Sequence, residues 1–172
     1  MSETIRPVEP ADVPAVVAMV HDLAAYERAP AECTLTEAQL AAALFAEHPA
    51  LFGHVGVDGG GTPVGFALWF LNYSTWTGTH GIYLEDLYVR PERRGSGLGR
   101  ALLAELAWLC VERGYHRLQW WVLDWNPATA FYRTLGAVPM DEWTVYRLTG
   151  DALDALGGSS AGGSGVLPTT LR

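Results

Sequence analysis

The run Ile82-Tyr83-Leu84-Glu85-Asp86-Leu87-Tyr88-Val89, followed by Arg90-Pro91-Glu92-Arg93-Arg94-Gly95-Ser96-Gly97-Leu98-Gly99-Arg100, decides how this chain folds. The first eight residues, rich in aromatic and β-branched side chains, predict a central strand. The next stretch breaks the pattern with an unusual density of Arg and Gly. From Leu98 to Arg113 the sequence turns helical: Leu102, Leu103, Leu106 and Leu109 fall on one face, and Gly114 supplies a natural stop. A glycine-rich junction between strand and helix aims successive backbone N–H groups at one spot, and the missing Cβ atoms let an anion approach that backbone closely. The segment from Arg94 to Arg100 therefore reads as a pyrophosphate cradle. Spacing removes two commoner glycine loops. A nucleotide P-loop needs Gly-Lys-Ser/Thr, and the chain has no lysine; a dinucleotide loop beginning at Gly95 would need glycine where Arg100 stands.

Working outward, Thr4 to Val8 reads as a first strand, and Val13, Val16, Val17, Val20, Leu23 and Ala24 follow at helical spacing. Thr36 is placed to cap a second helix carrying Leu40, Ala43 and Leu44 on one face. Leu51 to Val57 and Val64 to Tyr73 flank Asp58-Gly59-Gly60-Gly61, which predicts an antiparallel hairpin. Beyond the central helix, Arg117 to Leu123 and Trp143 to Leu148 read as strands. Between them, Asn126-Pro127 opens a short helix that ends near Gly136. The apolar periodicity covers one domain, 1–156, and the Gly- and Ser-rich stretch 157–172 reads as a flexible tail.

The chain has 172 residues, 49% of them hydrophobic, which is enough for one sizeable core. Its formal charge of -8 argues against a nucleic-acid partner, which needs a contiguous basic surface, and suits a small cationic substrate. No apolar run approaches the roughly 20 residues of a membrane-spanning helix, and the N-terminal residues lack the form of a secretory signal, so a cytoplasmic location without membrane association is expected. Cys33 and Cys110 lie far apart without metal-ligand spacing; neither a disulfide framework nor a metal is expected.

The pattern R-x-x-G-x-G from Arg94 to Gly99, behind a strand ending at Val89, resembles the acetyl-CoA signature of the GNAT superfamily of N-acetyltransferases. The order of elements resembles that fold from about residue 4 to 150. The resemblance implies an α/β architecture: a mixed, twisted central sheet with a splayed central strand pair, flanked by helices. It implies acetyl-CoA as cosubstrate, held by the backbone of Leu87 and Val89 and by Arg94, Gly95, Ser96, Gly97, Leu98, Gly99 and Arg100, with Asn126 as a further contact. Leu87 N–H is the expected partner of the thioester carbonyl. Tyr132, four residues before Gly136, matches the tyrosine that meets the CoA sulfur and serves as general acid. The family usually sets that tyrosine one residue further from its asparagine than Asn126 stands here.

The phrase Tyr83-Leu84-Glu85-Asp86 resembles more closely the diamine and polyamine branch, as do Leu23-Ala24-Ala25-Tyr26-Glu27, Leu35-Thr36-Glu37, Glu47-His48-Pro49 and the stretch from Tyr73 through Trp76 to Gly78. By that resemblance Glu85 is the base, acting through water because a carboxylate is far too weak to deprotonate a free ammonium outright. Period-two alternation sends Glu85 and Asp86 to opposite faces of the strand, so only one is expected at the substrate. Tyr26 and Glu27 become substrate contacts beside Glu85, with Trp76 and Trp143 as aromatic walls, a combination suited to an ammonium ion. The branch's acidic residue between Tyr73 and Trp76 is replaced here by Ser74 and Thr75, so a shorter diamine or a lysine-like amino acid is as well accommodated as a long polyamine. A homodimer is implied by resemblance alone. The competing expectations are a catalytically silent CoA-binding module and a protein-lysine acetyltransferase.

Overall fold

A computed structural model describes residues 3–159, in two compact units that divide at Leu123 and Asp124. The first unit carries strand β1 (Thr4–Pro7), helix α1 (Val13–Tyr26), helix α2 (Glu37–Phe45), strands β2 (Phe52–Val57), β3 (Pro63–Ser74) and β4 (Thr79–Val89), helix α3 (Leu98–Arg113) and strand β5 (Leu118–Gln119). The strands form one sheet in the order β1-β2-β3-β4-β5. Neighbours are antiparallel except β4 and β5, which run parallel. Mixed pairing and covering helices are the architecture the sequence predicts.

Each face of the sheet has its own cover. Val55, Val57, Phe66, Leu68 and Tyr88 bury against Val13, Val16, Val17 and Met19 of α1 and Leu40 and Leu44 of α2. On the other face Leu98, the first residue of α3, seats on Gly56 and Gly65; a Cβ on Gly56 would stand 2.4 Å from the Leu98 side chain. Those two glycines let α3 start close to the sheet. At the β2–β3 turn Asp58 Oδ1 accepts from the amides of Gly60 and Thr62, and Gly61 adopts φ 83°, as the expected hairpin requires. Thr36 caps α2 through Gln39 in a reciprocal capping box, and α3 stops at Gly114 in the left-handed conformation.

Three expectations differ from the structure. The strand expected over Arg117 to Leu123 shrinks to Leu118–Gln119, because β5 pairs with β4 only at Ile82 and Tyr83 and the backbones then part. Trp121 stands edge-on to Tyr83, 5.7 Å between ring centres, where the ladder stops. This is the splayed strand pair. Trp143 to Leu148 joins no ladder among the described residues, and its Val145 and Tyr146 are exposed; β-propensity without a partner strand leaves backbone groups to water. The second unit instead holds helix α4 (Ala128–Thr134) and a helix the sequence reading missed, α5 (Gly150–Ser159), where Ala and Leu are good helix formers and Asp151 sits in the first turn. Helix α5 takes in Gly157, Gly158 and Ser159 of the expected tail; residues 160–172 lie outside the described residues.

One buried polar contact sets a pH dependence. His54 is buried, and its Nδ1 accepts from Trp69 Nε1–H at 3.1 Å. Burial pushes the imidazole below its usual range, Arg113 adds to that, and Glu105 opposes it. With its folded pKa depressed, the histidine contributes stability that is present above the unfolded value of about 6.5 and is lost as pH falls through the folded value. Thermal melts should therefore drop on acidification below about pH 6.5. In His54→Asn, whose amide oxygen can take the indole hydrogen without titrating, the loss between neutral and mildly acidic pH should be smaller; an identical acid limb would clear His54 of the effect.

Candidate active site

Strand β4 carries the feature that organises the site. Leu68 of β3 pairs with Asp86, but the next residue, Trp69, pairs with Leu84, so Glu85 is an extra residue in the ladder. Cross-strand partners share a face of a sheet. Trp69, Ala67 and Gly65 lie on the α3 face with His54 and Gly56, whereas Phe66 and Leu68 lie on the α1 face. The register therefore puts Ile82, Leu84, Leu87 and Val89 on the α3 face and Tyr83, Asp86 and Tyr88 on the α1 face. Without the bulge, Asp86 would fall beside Leu84 on the α3 side. The expectation that simple alternation sorts Glu85 from Asp86 is thus corrected: the bulge interrupts the alternation between them.

Glu85 itself is exposed, at the apex of the bulge. Asp86 is the perturbed carboxyl. Burial, then the charges of Glu85 and Glu27, push it up to about 6. The sequence reading passed over Asp86; its signal lay in two successive acidic residues in an otherwise apolar strand. Glu27, directly after α1, is half-buried and raised by burial. Helix α1 ends in paired closing bonds, Ala29 N–H to Ala24 O at 3.0 Å and Arg28 N–H to Ala25 O at 3.1 Å. Arg28 takes φ 64° at the position where glycine is usual. That turn closes the helix directly after Tyr26 and Glu27. Three carboxylates sharing one field, two of them partly desolvated, make a place where a cation is favoured.

The glycine loop lies at the end of β4. Gly95 and Gly97 adopt φ 80° and 95°, and a Cβ on either would meet nothing within 4 Å, so the loop backbone is open to approach. Gly97 is the N-cap of α3, and its carbonyl takes the Ala101 N–H. Ser96 Oγ accepts from Leu98 N–H at 3.3 Å and donates to Glu3 at 2.9 Å. Helix geometry leaves the amides of Gly99 and Arg100 without an intrahelical carbonyl. A cavity of about 580 Å³ opens here, lined in part by Glu92, Arg94, Ser96, Gly97 and Leu98. Open glycine backbone, free helix-start amides and neighbouring arginines fit a diphosphate-bearing molecule. Leu87 and Val89, half-buried on β4, pair with Ala67 and Gly65 of β3.

Of the other expected residues, Trp76 is 90% exposed at the tip of the β3–β4 hairpin. At about 3.3 Å per residue it stands roughly 20 Å along the strand from Glu85, so it does not wall the same spot. In the second unit, Asn126 Oδ1 accepts from Ala128 N–H at 2.9 Å and starts α4. Tyr132 on that helix is half-buried with its ring 5.4 Å from that of Phe131. Trp143 is exposed and lines a cavity of about 310 Å³ with Pro139, Met140, Asp141 and Glu142. Among the described residues no cluster of three or more His, Cys, Asp or Glu could hold a metal ion, and no helix is long and apolar enough to cross a membrane.

Comparison with known proteins gives consistent matches. Residues 17–137 match the profile of the Acetyltransferase (GNAT) family. The thialysine N-epsilon-acetyltransferase of Sus scrofa is 36% identical over 168 residues, spanning 91% of this chain and 98% of that protein. An L-ornithine N5-acetyltransferase of Arabidopsis thaliana is 31% identical, spanning 91% of this chain and 88% of its own length. Among solved structures, an integron cassette protein from V. cholerae superposes with a TM-score of 0.76 at 28% identity, covering 91% of this chain and 98% of that one.

The raised Asp86 carboxyl makes a stability prediction whose sign is opposite to that of His54. A group raised in the folded state is fully accommodated below its unfolded value of 3.8 and costs stability as pH rises through about 6. Asp86→Asn should therefore stabilise the protein at pH 8 and much less at pH 4. At about 1.36 kcal/mol per unit the gain is at most about 3 kcal/mol. Chemical denaturation at the two pH values measures it, and an equal change at both would mean that Asp86 is not held in a desolvated field.

Proposed function

The chain belongs to the Acetyltransferase (GNAT) family, and from that premise we propose that it transfers the acetyl group of acetyl-CoA to a terminal amine of a small cationic molecule, either a lysine-like amino acid or a short diamine. The observation that carries the substrate class is Asp86: a half-buried carboxyl lifted to about 6, facing α1 with Glu27 nearby, beside the exposed Glu85. Such a cluster recovers favourable interactions when an ammonium enters it. The relatives named for thialysine and ornithine support the same class, since both names describe amino acids with a side-chain amine. By the family resemblance, an acidic residue is missing where Ser74 and Thr75 stand at the hairpin tip, an anchor that only a molecule long enough to reach from the carboxylates along the strand would use.

Bound acetyl-CoA supplies an acyl group activated as a thioester. The protein's own tasks are then four. The amides of Gly97, Gly99 and Arg100 would hold the diphosphate and so fix where the thioester lies. The Leu87 N–H polarises the carbonyl, with the parting of β4 from β5 giving the acyl arm room between the strands. Asp86 and Glu27 hold the ammonium, while Glu85, in contact with solvent at the bulge, takes its proton through water. By the family resemblance the thiol's proton comes from Tyr132.

Thiol release from acetyl-CoA, measured against thialysine, ornithine, lysine, short diamines, spermidine and spermine, tests the reading. The expected ranking places side-chain amines of amino acids and short diamines above spermine in kcat/KM. Binding of CoA without turnover on any amine would overturn the assignment in favour of a silent module. Tyr132→Phe should lower kcat by about 10- to 1000-fold with little change in acetyl-CoA affinity; an unchanged kcat would remove the tyrosine from the chemistry.

A further inference from the structure

We propose that Arg94 acts as a positioning residue: its guanidinium ties the glycine loop to the end of α1, so that coenzyme on the loop and amine at the carboxylates strengthen each other's binding. The inference rests on the acetyltransferase reading above and assigns to one loop arginine a role other than neutralising phosphate.

The guanidinium lies over two tyrosine rings. Its carbon is 5.1 Å from the centre of the Tyr26 ring and 5.5 Å from that of Tyr88. Both distances fall within the roughly 6 Å over which a cation is drawn to an aromatic face. Its Nε–H donates to Val89 O at 3.1 Å, which sets the plane of the group. The two rings belong to the two sides of the amine site. Tyr26 is the last residue of α1 and precedes Glu27, while Tyr88 shares the α1 face of β4 with Asp86. A second arginine makes a parallel tie: Arg90, at the stem of the loop, stands 3.9 Å from Asp22 of α1. Arg93 is committed elsewhere, 3.5 Å from Asp58. Arg100, exposed in the first turn of α3, pairs with none of the described residues and is the arginine left to meet a phosphate.

Arg94 thus joins the glycine loop to Tyr26, the residue directly before Glu27. A coenzyme that orders the loop restrains Arg94, hence Tyr26, hence the carboxylate beside it. By linkage the amine returns the same factor to the coenzyme. A planar guanidinium is needed, because an ammonium keeps the charge but cannot stack on an aromatic face while donating to Val89 O.

Calorimetric titration decides the point: ornithine binding is measured with and without saturating CoA, for wild type and for Arg94→Lys, Arg100→Gln, Tyr26→Phe and Tyr26→Leu, each first checked for a wild-type thermal midpoint. In wild type CoA should tighten ornithine binding by about 3- to 30-fold. In Arg94→Lys and Tyr26→Leu that factor should fall towards one, whatever each variant does to the affinity for CoA alone. Tyr26→Phe, which keeps the ring, should preserve the factor. Arg100→Gln should weaken CoA and leave the factor alone. If Arg94→Lys instead weakens CoA on its own and leaves the factor intact, Arg94 is an ordinary phosphate contact and the proposal fails. A factor of one in wild type also overturns it, even where the enzyme acetylates ornithine normally, so that its failure is separate from failure of the acetyltransferase reading. A chain that binds CoA but no amine in the substrate panel overturns both. Should the Tyr26 variants misfold, the comparison of Arg94→Lys with Arg100→Gln still decides.

Discussion

Between Leu84 and Asp86, strand β4 carries one residue more than the strand opposite it. An extra residue in a ladder costs pairing and adds local twist, and it persists only where the packing on both sides holds the register. Here the packing is strong on both sides. Before the bulge, Ile82 and Leu84 are buried on the α3 face; after it, Tyr88 is buried on the α1 face. The strand alternates between the two faces on both sides of Glu85, with the alternation shifted by one residue across it. That shift decides the setting of Asp86, which it carries off the α3 face and into the field of Glu27.

The bulge and the parting of β4 from β5 are neighbouring events. The parallel ladder ends at Tyr83, two residues before Glu85. Past that point β4 keeps its bonds to β3 on one side, while on the other its backbone groups have lost the β5 ladder. Backbone donors and acceptors without a ladder must find partners. An acyl donor with amide groups along its length is a chemically suitable partner for such an edge. The same strand end delivers the chain into the glycine loop, so in the proposed function a single element would serve the amine, the acyl group and the diphosphate.

Charge is distributed in keeping with this. An acidic chain of formal charge -8 clusters Arg90, Arg93, Arg94 and Arg100 within eleven residues of sequence. Three of the four hold the loop to the rest of the unit, through Asp22, Asp58, Tyr26 and Tyr88. The loop is therefore braced as well as electropositive. A glycine-rich turn gains conformational freedom and loses entropy on ordering; arginines anchored to α1 and to the β2–β3 turn offset part of that cost while leaving the glycine backbone bare. The buried His54 and the half-buried Asp86 titrate in opposing senses, so the fold is squeezed on the acid side by the first and on the alkaline side by the second.

The sequence by itself determined most of the framework. Apolar spacing set α1, α2 and α3, the glycines and Asp58 set the hairpin, and the Arg94–Gly99 pattern set the loop and the family, because these features depend on neighbours within a few residues. It also named Glu85 of the acidic pair on β4 and the Tyr26–Glu27 pair as candidates, leaving Asp86 aside. It could not deliver register. Which face Asp86 takes depends on where β3 and β4 slip by one residue, a choice made by the α1 and α3 cores on either side of the sheet. For the same reason the sequence overran β5 and placed Trp76 beside a carboxylate that lies far along the strand. Local chemistry names the residues; pairing across strands and packing between elements decide which of them meet.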